Sequence, residues 1–529
     1  MGKDLNMEAT ETQRTPNRFG VRRLLTFRRL FPLAFFVMVF ALAVRQSAYI
    51  DPDLWWHLQA GQDIVQSLAI PKVDGYSFTK AGSEWVAHEW LSEVVMYAIY
   101  RVSGWGGLLF VFSVIITIAL YLTYRRSEGK PYAAAVAILL ATASSSPLFD
   151  IRPQMIALLL AAIFIGLLTQ YAEDGKSRRL WWMVPLMLAW VNLHAGYALG
   201  LALIGLFMVS MLLDGKWKLA PRLGLILLVA TAVVPLNPNG FRMFSYPFET
   251  LMSPSMAAFI DEWASPDFHK VMFLPLALLL LLLLAALALS PRRPAASEVF
   301  LLLVTGFGAL RSARHIPIFA LIAAPILARH LWNIMVTRGW EKRLTSSEAP
   351  AAGFALVFNL IFLLAPAGLG VFRVVHFVNN QPAYEAKNYP QAAVNFLASN
   401  QLPGPILNQY GWGGYLIRRL HPNYRVYIDG RADVYGDSFM TEAVKTYDGH
   451  TDWRKPLDRL GVRTVIISPA TPLSSLLRED DKWTKVYEDR QAVIFTRPDT
   501  NTVTTLTVTT LTEPGPHGAA RAQPLKAAQ

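Results

Sequence analysis

The fold class that the sequence predicts is a polytopic α-helical membrane protein with a small α/β domain at its C-terminal end. Three observations carry that prediction. Hydrophobic residues fill 53% of the 529 positions and charged residues only 16%, too apolar a balance for an ordinary soluble domain. Apolar runs approaching the roughly 20 residues that a spanning helix needs recur through the first two thirds of the chain. Beyond residue 378 they stop, and segments of helical and strand period alternate instead.

The apolar runs lie at 31–50, 105–124, 131–147, 152–170, 180–195, 197–213, 219–236, 271–290, 298–312, 315–332 and 352–375. They predict about eleven crossings. Ahead of the first stand Arg14, Arg18, Arg22, Arg23, Arg28 and Arg29, which fix the N-terminus on the cytoplasmic side by the positive-inside rule. A long signal peptide ending near Ala41 and Ala43 is the competing reading, and it leaves the following residues outside as well. Counted onward, Arg125, Arg126 and Lys130 fall inside, as do Lys176, Arg178 and Arg179, then Lys216, Lys218 and Arg222, then Arg292 and Arg293, then Arg338, Lys342 and Arg343. The segment His88–Arg101 is apolar but only about fourteen residues long, so it is expected to be interfacial or re-entrant, with Trp85, Trp90 and Trp105 at headgroup level. The expected organisation is a basic cytoplasmic N-terminus over 1–29, a transmembrane domain over 30–378 with an outer loop at 49–104, an extracytoplasmic α/β domain over 379–498 and a disordered tail over 499–529. Strand-like stretches at 425–428, 462–467 and 491–496 and a helix over 391–399 build the α/β domain.

The chain has no cysteine, which removes disulfides, thiolate metal sites and thiol nucleophiles together. Any chemistry rests on carboxylates, His, Arg and Lys. The net charge of +12 is spread over short connections between apolar runs and not over one soluble face, so it indicates a lipid bilayer as partner and no nucleic acid.

The polar residues with chemical potential converge on the outer face. Asp51 and Asp53 flank Pro52 directly after the first span, with Trp55, Trp56 and His57 following. An acid there can take a proton from an acceptor or coordinate a divalent cation, the one cofactor these residues leave open. A solvated Asp-Pro turn is the bland alternative. His88 and Glu89 open the short helix, where an N-terminus can receive an anion, and Glu93 shares a face with Glu89. Asp150 and Arg152 stand between two spans as an acid and a cation that can grip phosphate, or as a self-satisfied ion pair. Arg311, Arg314 and His315 form a basic group on the side where such groups are scarce, which points to an anion there unless the loop is cytoplasmic. Polar breaks at Trp190–Gly196, containing His194, and at Pro235–Gly240 end two further helices; a lone His is more often structural than catalytic. Asp261-Glu262-Trp263 is a second acidic site or the solvated part of a lid, and Asp429–Asp433 follows a predicted strand.

An acidic motif after the first span, an outer loop with short surface helices, a helix opening with His88-Glu89-Trp90-Leu91 and a second acid-containing outer loop at Asp150 resemble the integral-membrane glycosyltransferases of the GT-C fold. The likeness is nearest to the bacterial group of lipid A aminoarabinose transferases and protein mannosyltransferase relatives, and it covers roughly Arg22–Gln170 best. Members commonly show His-Pro-Pro-Leu where this chain has His-Glu-Trp-Leu. The resemblance implies a bacterial inner-membrane enzyme that moves a hexose or pentose from a polyprenyl-phosphate donor to a glycan, lipid or protein acceptor. It implies Asp51 or Asp53 as general base, with His88 near the donor. His57, Glu89, Asp150, Arg152, His194, Arg311, Arg314 and His315 are the expected substrate-binding residues. A transporter or flippase would put its polar groups at helix midpoints and show repeated halves. A scaffold with an outer sensing domain would leave the Asp51/Asp53 and Arg311/His315 groups apart.

Overall fold

In the computed structural model the described residues are 27–44, 50–341 and 354–497. Residues 1–26, Arg45, Lys342, Arg343 and the tail from Asp499 lie outside them.

A helix stands at each of the eleven apolar runs. They are α1 (Phe27–Ala43), then, after α2 (Pro52–Ser67), α3 (Trp90–Arg126), α4 (Tyr132–Ser145), α5 (Pro153–Asp174), α6 (Met183–Leu193), α7 (Tyr197–Leu213) and α8 (Ala220–Ala232). After α9 (Arg242–Met252) and α10 (Pro254–Phe259) come α11 (Leu274–Leu289), α12 (Ala296–Arg311), α13 (Ile316–Thr337) and α14 (Phe354–Asn388). Among the described residues five stretches, Trp90–Arg126, Pro153–Asp174, Val271–Leu289, Ala313–Thr337 and Leu360–Asn388, are long and apolar enough to cross a membrane; Phe31–Ala43, Tyr132–Leu148, Tyr197–Leu213 and Ala220–Leu236 are apolar but shorter. At 1.5 Å per residue those shorter helices fall below the roughly 30 Å hydrocarbon thickness.

Local chemistry sets the boundaries near the two acids of the Asp-Pro-Asp turn. Pro52 occupies the first turn of α2, and the Asp51 carboxylate caps it by accepting from the Asp53 amide at 2.8 Å. Leu68 then closes α2 in a left-handed conformation, φ 55°. The segment expected to be a separate short helix is the first part of α3, broken from the rest at Gly104, whose φ of 60° and ψ of −156° only glycine adopts without strain. Gly61 lets α2 lie close along α3, since a Cβ there would run into the Glu93 carbonyl. Of the aromatic residues expected at headgroup level, Trp85 is buried and Trp90 and Trp105 are half-buried, with Trp105 edge-on to the buried Trp55 at 5.2 Å. The Trp90 indole N–H donates to Asn192 at 2.9 Å. Asn192, in one of the polar breaks, thus satisfies the Trp90 donor.

The chain divides into two compact units, one formed by residues up to Lys72 with Trp85–Pro382, the other by Val73–Glu84 with residues from Ala383. The second unit holds a four-stranded sheet of order β1-β2-β4-β3, with β1 (Ile406–Asn408), β2 (Thr464–Ile467), β3 (Thr484–Glu488) and β4 (Val493–Thr496). β1 and β2 are parallel and the other pairs antiparallel. The expected strand at 425–428 is a single bridge, Val426 to Ser77, so part of the 49–104 loop packs with C-terminal residues within the second unit. The pairing is locked by charge. Arg431 Nη2 lies 2.8 Å from Asp74 and 2.7 Å from Asp429, which also accepts from Arg431 Nε at 2.8 Å, the Arg431 amide at 3.0 Å and the Tyr435 hydroxyl at 2.6 Å, and all four side chains are buried. Asp429 and Arg431, expected near a substrate because they follow a strand, are thus committed to each other. The guanidinium holds the Asp429 carboxyl below its usual range against the effect of burial.

Candidate active site

The site lies in the first unit, where six polar segments beside the helices meet. Arg152 is its centre. It precedes α5 in extended conformation, with Pro153 in the first helical turn, so its side chain leaves the helix end instead of lying along it. Its guanidinium pairs with Asp51, stands 3.9 Å from Asp53 and 2.7 Å from Glu262, and Glu262 lies 3.6 Å from Arg314. Arg314 stacks on Trp263, 4.6 Å from the ring centroid. Residues more than 250 positions apart along the chain are therefore joined into one chain of alternating charge, from Asp51 to Arg314.

The two acids of the Asp-Pro-Asp turn are unlike. Asp51 is 1% exposed and fully engaged, capping α2 and pairing with Arg152. Asp53 is 30% exposed and accepts from the Trp56 indole at 3.2 Å. Burial first, and the neighbouring Asp51 charge second, push the Asp53 carboxyl up from 3.8 to about 6 against the pull of Arg152 and His57. An acid of that strength is ionised at neutral pH yet basic enough to accept a proton. Burial works against the Arg152 charge, but its four acidic neighbours hold the guanidinium more firmly protonated than usual.

A second group adjoins the first. Glu89, the residue before α3, has His88 Nε2 at 3.1 Å, His194 Nε2 at 3.3 Å and His57 Nε2 at 3.6 Å. His57 Nδ1 faces Glu93 at 3.4 Å. The helix N-terminus that was expected to receive an anion carries its own, the Glu89 carboxylate.

Arg152, His194, Glu262, Trp263, Arg314 and His315 line one end of a cavity of about 480 Å³ whose other walls are mainly apolar, among them Leu148, Met155, Leu158, Leu199, Phe248, Leu251, Pro317 and Ile318. The His315 Nδ1 and Arg152 Nε atoms in its wall are buried without a hydrogen-bond partner. A pocket that is greasy along its length and cationic at one end suits an amphiphile with an anionic head.

The structure brings together Asp51, Asp53, His57, His88, Glu89, Arg152, His194, Arg314 and His315. Asp150 accepts from the Ile151 amide at 2.8 Å and lines a small neighbouring pocket with Ser113 and Phe377, contributing to the charge around Arg152. Arg311 is exposed at the end of α12, where its carbonyl accepts from Ser265. The turn after α12 directs Arg314 inward and leaves Arg311 out. Glu262 and Glu93 are the site residues whose roles the sequence did not disclose. Among the described residues no group of three or more His, Asp and Glu side chains is arranged to hold a metal ion. The carboxylate of Asp51 is directed at a guanidinium and that of Glu89 at imidazoles.

No family model matches the chain, and no curated protein matches it in sequence. Solved structures do resemble it. The archaeal oligosaccharyltransferase AglB from Archaeoglobus fulgidus, in complex with an inhibitory peptide and a dolichol-phosphate, aligns over 90% of this chain and 75% of its own, with a TM-score of 0.53 and 11% identity. The same oligosaccharyltransferase tethered to an acceptor peptide aligns over 84% and 69%, TM-score 0.52, 13% identity. ArnT from Cupriavidus metallidurans bound to undecaprenyl phosphate aligns over 89% and 98%, TM-score 0.50, 16% identity. The chain has the GT-C fold of these membrane glycosyltransferases.

Proposed function

We propose that this protein is a membrane glycosyltransferase that moves a sugar from a polyprenyl-phosphate carrier to an acceptor on the extracytoplasmic face of a bacterial inner membrane, with Asp53 as general base. The observation that carries the reading is the junction of Asp53, Arg152 and Arg314 with an apolar cavity of about 480 Å³. The lipid-phosphate ligands of two structures sharing the fold, dolichol-phosphate and undecaprenyl phosphate, support the same donor class.

Each residue then has a defined task. The donor's isoprenoid chain lies along Leu158, Leu199, Phe248 and Leu251, and its phosphate meets Arg152 and Arg314. Glu262 pairs with both guanidiniums, so an arriving phosphate competes with that carboxylate for them. Asp53 takes the proton of the acceptor as its oxygen or nitrogen attacks the anomeric carbon. The bond from that carbon to the phosphate oxygen breaks, and the electron pair leaves with polyprenyl phosphate, whose growing charge the two guanidiniums stabilise in a low-dielectric setting. Asp51 takes no part in proton transfer; it holds Arg152 and the start of α2 in register.

The test is transfer from radiolabelled polyprenyl-phosphate sugars by purified protein in proteoliposomes, with Asp53→Asn and Arg314→Ala beside it. Loss of transfer in both folded variants supports the reading. Full transfer in Asp53→Asn removes the assigned base.

A further inference from the structure

Glu89 gathers three imidazoles from three elements: His57 from α2, His88 from the strand of chain entering α3, and His194 from the break between α6 and α7. The hydrogen-bond pattern fixes what each ring must carry. His194 Nδ1 accepts from the Gly196 amide at 2.7 Å, so its proton sits on Nε2, facing Glu89, and the ring is neutral. His88 has the Val86 carbonyl 3.1 Å from Nδ1 and Glu89 3.1 Å from Nε2, two acceptors that only a doubly protonated ring satisfies. His57 stands between two carboxylates, with Glu93 within hydrogen-bond reach of Nδ1 at 3.4 Å and Glu89 facing Nε2 as a charge contact at 3.6 Å.

We propose that Glu89 is a positioning residue for the transfer reaction, keeping His57 and His88 as cations and His194 as a neutral ring, so that the base-bearing helix α2 and the cavity wall at His194 are held by one buried charge cluster. The inference rests on the glycosyltransferase reading for its catalytic consequence, but not for the protonation pattern.

The charges facing each group agree with it. Burial opposes the His57 cation, yet the hydrogen bond to Glu93 and the charges of Glu89, Glu93 and Asp53 raise its affinity for a proton above that of free imidazole. Burial would raise Glu89, but His88, His194 and His57 bring it well below the ordinary carboxylate range. Burial and the positive charges of His88, Arg314 and His57 outweigh Glu89 at His194 and depress it to about 4. Groups that raise a histidine act below its shifted value and are lost above it, so the cluster fails on the alkaline side. Asp53, at about 6, governs the acid side.

Two measurements test this. In histidine-labelled full-length protein, with signals assigned by His57→Gln, His88→Gln and His194→Gln, nitrogen chemical shifts at neutral pH should show His57 and His88 as imidazolium and His194 as the Nε2–H tautomer. A neutral His88 or a charged His194 overturns the proposal whether or not the protein transfers sugar. In the transfer assay, Glu89→Gln should lower kcat by about 100-fold, the scale of misplaced reacting groups, and move the alkaline limb down by about one pH unit, while Glu89→Asp keeps the limb in place. A folded Glu89→Gln protein with the wild-type pH profile also overturns it. Should wild-type protein transfer no sugar from any polyprenyl-phosphate donor, the glycosyltransferase reading fails, and the nitrogen shifts still decide the charge pattern.

Discussion

Replacing Asp53 with Asn should make the protein more stable and nearly inactive at once. The folded structure raises this carboxyl from 3.8 to about 6, so ionising it is less favourable in the folded chain than in the unfolded one. The sign follows from proton binding: the folded state binds a proton more tightly, so stability falls as pH rises from 3.8 through about 6, and the loss is complete above that. A gap of roughly two units corresponds to about 3 kcal/mol, reduced to about 1–3 kcal/mol by the screening that a partly exposed group receives. Asn keeps the shape and can still accept from Trp56, but it has no charge to place beside Asp51. Thermal unfolding followed by tryptophan fluorescence should therefore show Asp53→Asn above wild type at pH 7 and equal to it below about pH 4. Transfer should fall by about 10²–10⁴-fold, the range for loss of a general base. A variant that is less stable at neutral pH, or one that retains transfer, refutes the argument that Asp53 is held in a strained charge state for catalysis.

Asp51→Asn should behave in the opposite way: removing the cap and the partner of Arg152 lowers stability by about 3–5 kcal/mol, measured by the same unfolding assay. Arg152→Gln leaves Asp51 buried without its cation, and the double change Asp51→Asn with Arg152→Gln should recover about half of that loss in a double-mutant cycle. Glu262→Gln removes the carboxylate that competes for Arg152 and Arg314, and should tighten polyprenyl phosphate binding by about tenfold in a lipid-displacement titration. In the second unit, Arg431→Met leaves Asp74 and Asp429 buried without their cation and should expose the 73–84 segment to limited proteolysis, with a loss of about 3–5 kcal/mol.

Much of the site was legible because polar residues between apolar runs are conspicuous and the charge of the connections assigns them to faces. Asp51, Asp53, Arg152, His194 and Arg314 could be gathered on that ground alone. The partnerships could not. Glu262 was visible as an acid, but 110 residues separate it from Arg152, and nothing local marks it as the bridge to Arg314. The choice between Arg311 and Arg314 depends on three residues of turn, where a rotation of the backbone decides which guanidinium enters the cavity. Trp85 read as interfacial because its amphipathic ring suits headgroups, yet the same ring packs inside against the neighbouring indole of Trp56. β1 is three residues long, too short for a period to show, and Ser77 pairs with Val426 across almost 350 positions. Helix existence was clear from apolar periodicity, whereas the number of crossings depends on lengths that fall near the membrane thickness.

The central claim is that Arg152 and Arg314 receive the phosphate of a lipid-linked donor beside Asp53. A structure of the full-length protein with polyprenyl phosphate tests it most directly. The expected result is a phosphate between the two guanidiniums, Glu262 turned away, and the isoprenoid chain along Leu158, Leu199 and Phe248. A lipid bound elsewhere, with Glu262 still joining Arg152 to Arg314, would contradict it.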